Sequence, residues 1–162
     1  RPCLIWAEDA PFANNVAGES WRAINGADHL HSTIHVDNLA QGIELVLTAE
    51  DHQLEPVFYI NDFPTNDPRT LRLAEVVEGL RASRGLTGVG ASVPFSLAKM
   101  GAMVTDAVYK LFNPGAVLGA RAAVQMFGQE LTTDDSLIRE RLGYEAEFDA
   151  RELLAKLSQK QA

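Results

Sequence analysis

The stretch Leu30-His31-Ser32-Thr33-Ile34-His35-Val36-Asp37-Asn38-Leu39-Ala40 decides the fold. Leu30, Ser32, Ile34 and Val36 alternate with His31, Thr33 and His35, which is the period-two pattern of a strand. At Asp37 the period changes. Asp37 is a helix N-cap by type, and Leu39, Ile43, Leu45, Val46 and Leu47 then form the apolar face of a helix ending near Glu50. Strand running into helix gives an α/β reading.

On the N-terminal side, Cys3 to Trp6 is a short apolar run of the buried-strand kind, and residues 7–26 read mostly as loop, with room for a short helix near Phe12 to Trp21. On the C-terminal side, Val57-Phe58-Tyr59-Ile60 is a second buried-strand candidate, closed by the turn residues Asn61-Asp62 and Pro64 to Pro68. A helix spans Thr70 to about Ser83, with Leu71, Leu73, Ala74, Val76, Val77 and Leu80 on its apolar face and Gly85 as its stop. A glycine-rich link, Gly85 to Gly90, leads to an apolar segment from Val93 to Phe112. Lys99, Asp106 and Lys110 interrupt that segment, so it falls short of the about 20 apolar residues of a membrane span. It reads as a buried or partner-facing helix broken at Asn113-Pro114-Gly115, with a short helix following from Val117 to Met126. Thr132-Thr133-Asp134 then caps a helix stopped by Gly143, and Asp149 caps a last helix to about Leu157. The pattern is helix-rich.

Residues 1–162 read as a single domain or a fragment of one, with no repeat and no second boundary. Fourteen basic against twenty-two acidic residues give a net charge of −8, which disfavours a nucleic-acid partner. The lone Cys3 excludes an internal disulfide and fits a reducing compartment, and no segment reads as a signal peptide, so a cytoplasmic location is expected. The chain opens Arg1-Pro2 without a methionine and reads as the interior of a longer, processed or trimmed chain.

The obvious chemical constellations have simpler readings. His31 and His35 have the four-residue spacing of a helical metal site, but on a strand they stand about 13 Å apart, so no metal is expected. Ser32, His35 and Asp37 sit too close along one strand to converge as a triad. Gly88-Val89-Gly90 lacks the third glycine of a dinucleotide fingerprint and follows a helix rather than a strand, so it reads as linker. Glu8-Asp9 and Asp134-Asp135 read as solvated or capping acids. Trp6 and Trp21 flank a loop and suit either a pocket wall or the core.

The stretch from Ser32 to Ala40 resembles the "hVdD-la" segment of extended short-chain dehydrogenases/reductases, the NAD-dependent epimerase/dehydratase and 3β-hydroxysteroid dehydrogenase-like group. Arg1-Pro2 through Ile5-Trp6-Ala7 is similar to that group's "RP…vyG" strand, with alanine for the usual glycine. Arg139-Glu140-Arg141-Leu142-Gly143-Tyr144 is similar to its near-terminal "a-reeLGy" element. The resemblance covers nearly the whole chain in order, and it is to the C-terminal half of the group only. It implies a helix-rich α/β fold, the C-terminal portion of a Rossmann-type protein without the N-terminal nucleotide-binding half.

That resemblance places the backbone of Pro2 and Cys3 beside the nicotinamide of an NAD or NADP molecule bound by the full-length parent, with none held tightly by this chain alone. It places Leu4, Trp6 and His31 on the substrate side. Leu4 stands where nucleotide-sugar epimerases often use a polar contact, and His31 where they use a phosphate-holding arginine. Both departures favour a less polar hydroxyl or carbonyl compound. Tyr59, Tyr109 and Tyr144 have no lysine four residues on, so no catalytic residue is assigned, and the chain is expected to be catalytically incomplete alone. The leading expectation is the substrate-binding portion of an NAD(P)-dependent oxidoreductase or epimerase. The alternative is a stand-alone truncated relative that binds a small molecule or a protein without catalysis. A half-fold exposes strand edges, so a homo-oligomer or a covering N-terminal half is the expected partner.

Overall fold

The computed structural model describes residues 1–113 and 119–159, apart from the side chain of residue 52. In chain order the elements are β1 (Leu4–Trp6), α1 (Pro11–Ala17), β2 (Arg22–Ile24), β3 (Thr33–His35), α2 (Val36–Thr48), α3 (Leu73–Ala82), β4 (Ala91–Val93), α4 (Phe95–Phe112), α5 (Ala120–Gly128), α6 (Ser136–Leu142) and α7 (Ala150–Gln159). The fold is α/β and helix-rich. Its strands form two parallel pairs, β1 with β3 and β2 with β4. In the first pair Leu4 lies opposite Thr33, Ile5 opposite Ile34 and Trp6 opposite His35.

Alternation along β1 and β3 divides the interior. Leu4 and Trp6 point to one face, where they meet Val16 of α1, Leu73, Val76, Val77 and Leu80 of α3, and Leu154 and Leu157 of α7. Ile34 belongs to a second cluster with Phe58, Ile60, Ile138 and Tyr144. Burial on both faces is what a parallel pair requires. Helices α3 and α7 meet at Gly79, where a Cβ would stand only 2.7 Å from Leu154 Cδ2. A side chain there would push the two helices apart.

Several boundaries differ from the sequence reading, each for a local reason. Helix α2 starts two residues early: His35 is its N-cap, and His35 Nδ1 accepts from Asp37 N at 3.3 Å. Asp37 therefore sits in the first turn rather than at the cap. His35 keeps its extended backbone because its own N–H donates to Asp62 Oδ1 at 2.8 Å. Around Val57 to Ile60 there is one bridge, Ile60 to Pro2, and Pro2 has no N–H with which to extend a ladder. Strand β2 comes from a segment read as loop, and β4 lies between the glycine-rich link and the apolar segment, taking Val93 from the latter. Each is three residues long, too short for a period to show.

The helix expected over 70–83 is α3, ten residues long, and Gly85 lies beyond its end at φ +75°. Gly88 and Gly90 are also left-handed, but they lead into β4 rather than into a helix. The helix expected over 117–126 is α5, and the expected break at Pro114-Gly115 lies outside the described residues. Helix α6 ends on Gly143 at φ +65°, as the sequence indicates. Asp149 Oδ1 accepts from Arg151 N at 2.8 Å and Glu152 N at 3.2 Å, which caps α7.

Candidate functional site

Asp62 joins β1, β3 and α2. Its Oδ2 accepts from Trp6 Nε1 at 2.9 Å and Thr33 Oγ1 at 3.2 Å, and its Oδ1 from His35 N and Asn38 Nδ2, both at 2.8 Å. Burial raises the pKa of this carboxyl, and the four donors work against that rise. Asn38, itself buried, also donates to Phe148 O at 2.9 Å and accepts from Phe148 N at 3.0 Å, which ties in the segment before α7. The sequence reading treats Asp62 as a turn residue. Its hint was an acid next to an apolar run, a signal shared by many loops.

A second carboxylate closes the other side. Asp135 is fully buried and pairs with Arg139 at 2.7 Å, while its Oδ1 accepts from Thr65 N at 3.0 Å. Arg139 also reaches Asn61 O at 3.2 Å and lies over the Tyr144 ring. Asp135 is thus an ion-pair partner as well as the residue before α6. The N-cap of α6 is Asp135 rather than Asp134, and its side chain makes no cap bond; Asp134 Oδ1 accepts from Ser136 N at 3.0 Å from one position earlier.

A cavity of about 350 Å³ is lined by residues neighbouring these anchors in sequence, among them Asn61, Phe63, Thr65 and Thr133. Leu30, Phe63, Pro64 and Leu71 give it apolar walls. Most of its polar lining is already engaged: Ser32 Oγ accepts from Thr133 N at 2.8 Å, and Asn61 and Thr133 exchange bonds of 2.8 and 2.9 Å. His31 differs. It is fully buried, and among the described residues neither ring nitrogen has a hydrogen-bond partner. Its ring stacks on Phe127, with centroids 6.4 Å apart, and lies 6.0 Å from His29. Desolvation, and secondarily the neighbouring His29, pull its pKa down to about 4. The imidazole is therefore neutral at pH 7. It can exchange one donor and one acceptor bond with a neutral group, but it cannot act as a phosphate-holding cation.

The other residues singled out by resemblance lie on β1 and just before it. Leu4 and Trp6 point into the core, Trp6 with its ring edge-on to His35 at 4.7 Å. Pro2 is exposed and Cys3 half-buried, and burial pushes the Cys3 thiol up. The amine of Arg1 donates to Phe58 O. Trp21 is half-buried and donates from Nε1 to Val89 O at 3.0 Å. The structure thus brings Trp6 to the Asp62 junction and His31 to the cavity, two adjoining places, and leaves Pro2 at the surface. Left-handed Gly88 and Gly90 precede strand β4 rather than a helix.

No protein-family model matches the chain. Over 151 residues it is 30% identical to 4-hydroxy-2-methyl-3-oxo-4-farnesyl-3,4-dihydroquinoline-1-oxide ketoreductase of Stigmatella aurantiaca, a match covering 89% of this chain. The chain spans 43% of that relative's length. Among solved structures it is similar to the crystal structure of gox2253, with 15% identity and a TM-score of 0.49, over 91% of this chain and 44% of the other. The sequence relationship is with an oxidoreductase.

Proposed function

We propose that this chain forms the substrate side of an NAD(P)-dependent oxidoreductase of the extended short-chain type, and that its substrate is a ketone or secondary alcohol with an apolar body. The observation that carries the reading is His31, a neutral imidazole buried behind a cavity to which Leu30, Phe63, Pro64 and Leu71 give apolar walls, with both its nitrogens unpartnered among the described residues. A neutral donor–acceptor suits an uncharged carbonyl or hydroxyl and gives a phosphate no counter-charge. The similarity to a ketoreductase supports the same substrate class.

In such a reaction a reduced nicotinamide gives hydride to the carbonyl carbon, and a proton reaches the oxygen. For the described residues the proposed role is binding and orientation of the substrate. Leu30, Phe63 and Leu71 would exclude water from the apolar body, and His31 would align the oxygen.

The test is NADPH consumption by the protein as its gene encodes it, with farnesylacetone as the probe ketone and UDP-galactose as the nucleotide-sugar control. Ketone-dependent oxidation of NADPH, weakened at least about tenfold in KM by His31→Leu, is the expected result. Epimerisation of UDP-galactose without ketone reduction would overturn the assignment. Binding of farnesylacetone without turnover would favour the non-catalytic binding module.

A further inference from the structure

Helix α4 carries two apolar faces, and only one is covered. On the covered side Ala102 is buried and Phe95 and Ala98 are half-buried. Gly128 of α5 lets the Phe95 ring approach, since a Cβ there would lie 2.7 Å from it. Asp106 belongs to the same buried stripe. Its carboxylate accepts from Ala120 N at 3.2 Å and Arg121 N at 3.4 Å, and pairs with Arg121 Nε at 3.0 Å. The one acid of α4 is therefore used where α4 and α5 meet, accepting from the first residues of α5.

Among the described residues nothing covers the opposite face. At about 100° per residue, Ala107, Met100, Leu111, Val104, Leu97, Val108, Gly101 and Phe112 fall within an arc of about 140° centred opposite the buried stripe. No polar side chain interrupts it. Val104 is 64% exposed, and Leu111 and Phe112 are each 76% exposed. A helix packed on one side normally turns polar residues to water on the other, and monomers rarely show so continuous an apolar surface.

We infer that this face of α4 docks on an anionic lipid surface, with the helix lying in the headgroup plane. Charge supplies the argument for that occupant. Residues 86–128 hold three basic side chains, Lys99, Lys110 and Arg121, against the single acid Asp106. The other 119 residues carry eleven basic and twenty-one acidic side chains. An anionic surface repels that acidic body and accepts the hairpin, which fixes the orientation. Lys99 and Lys110 are exposed but lie outside the arc, about 80° and 60° beyond one edge and next to the buried stripe, so only their long stems bring the ammonium groups towards lipid phosphates. A second copy is the weaker occupant, because it would bring two acidic bodies together and the arc is wider than the seam one partner helix covers. No described helix is long and apolar enough to cross a membrane, so α4 lies on the surface rather than through it.

This inference does not rest on the ketone reading, and its test reads no activity. The protein as its gene encodes it is sedimented with sucrose-loaded vesicles, either of phosphatidylcholine alone or of equal parts phosphatidylcholine and phosphatidylglycerol. Partition onto the anionic vesicles is expected. Val104→Glu with Leu111→Glu should lower that partition about tenfold or more. Lys99→Gln and Lys110→Gln should each lower it roughly fivefold on anionic vesicles and leave pure phosphatidylcholine unaffected. Circular dichroism checks folding, and the lysine variants carry the test if the double glutamate variant does not fold. Wild-type protein left in the supernatant with both vesicles, or partition indifferent to all of these changes, overturns the inference. So does a dimer by light scattering that the glutamate pair dissociates while vesicles capture neither form.

Discussion

The junction around Asp62 and the α4–α5 hairpin each centre on one buried carboxylate, but the two use it differently. Asp62 accepts four bonds from β1, β3 and α2, among side chains that are themselves buried. Asp106 accepts from two adjacent residues at the start of α5 and holds one helix against another, while most of α4 faces solvent. In the first region, burial and bonding are both complete within the chain. In the second only the bonding is complete, and the apolar surface remains unburied. The contrast separates what holds this chain together from what it offers outward.

The sharpest attempt to break that contrast is Trp6→Ala. Trp6 is fully buried and donates to Asp62, so its removal leaves both a large cavity and a carboxylate short of one donor. The expected loss is about 5 kcal/mol in urea unfolding. A loss near that of an average surface change would show that the junction does not anchor the fold. Arg139→Met comes next. Asp135 is fully buried, and removal of its partner leaves an uncompensated charge, so a loss of about 3–4 kcal/mol is expected. The double change Asp135→Leu with Arg139→Met should recover most of it, which a double-mutant cycle reads directly.

The long-period features of the sequence were legible, and the junction was not. Helices α3, α4 and α7 declare themselves because ten or more residues repeat an apolar face. The order β1, β3, α2 was legible for a similar reason, since alternation stops where α2 begins. Strands β2 and β4, three residues each, owe their existence to parallel pairing across about seventy residues, and no local pattern encodes that. Asp62 was hidden in the same way: its donors lie at positions 6, 33, 35 and 38, brought together by the fold alone. His31 was found through its resemblance to a binding position, but its unpartnered nitrogens and its contact with Phe127 are properties of packing.

Protonation gives the next test. His31 has a folded-state pKa lowered to about 4, and His29 is lowered too, first by desolvation. The unfolded chain accepts protons at these rings near pH 6.5 while the folded chain refuses them. The stability they contribute is thus complete above about pH 6.5 and is lost as pH falls towards about 4, by roughly 3 kcal/mol for His31. Asp62, raised by burial, acts with the opposite sign, because the folded state takes up its proton first. Urea midpoints measured between about pH 7.5 and pH 4.5 should fall steeply in the wild type and more gently in His31→Leu. Equal slopes would mean that His31 is hydrated and already protonated in the folded state.

The smallest expected effect bears most on the hairpin. Val104 lies in the middle of the bare arc, with its side chain in water. Val104→Ser removes no internal contact of consequence, so the unfolding free energy should move by no more than about 0.5 kcal/mol. That near-null result is informative because it differs so much from Trp6→Ala at a residue of comparable hydrophobic character. A loss of 2 kcal/mol or more would place Val104 in a packed interface, with another copy or another part of the same protein seated on α4 in solution. A null result in unfolding together with weaker vesicle partition would place the function of the arc outside the fold, on a surface that α4 meets only when the protein is at work.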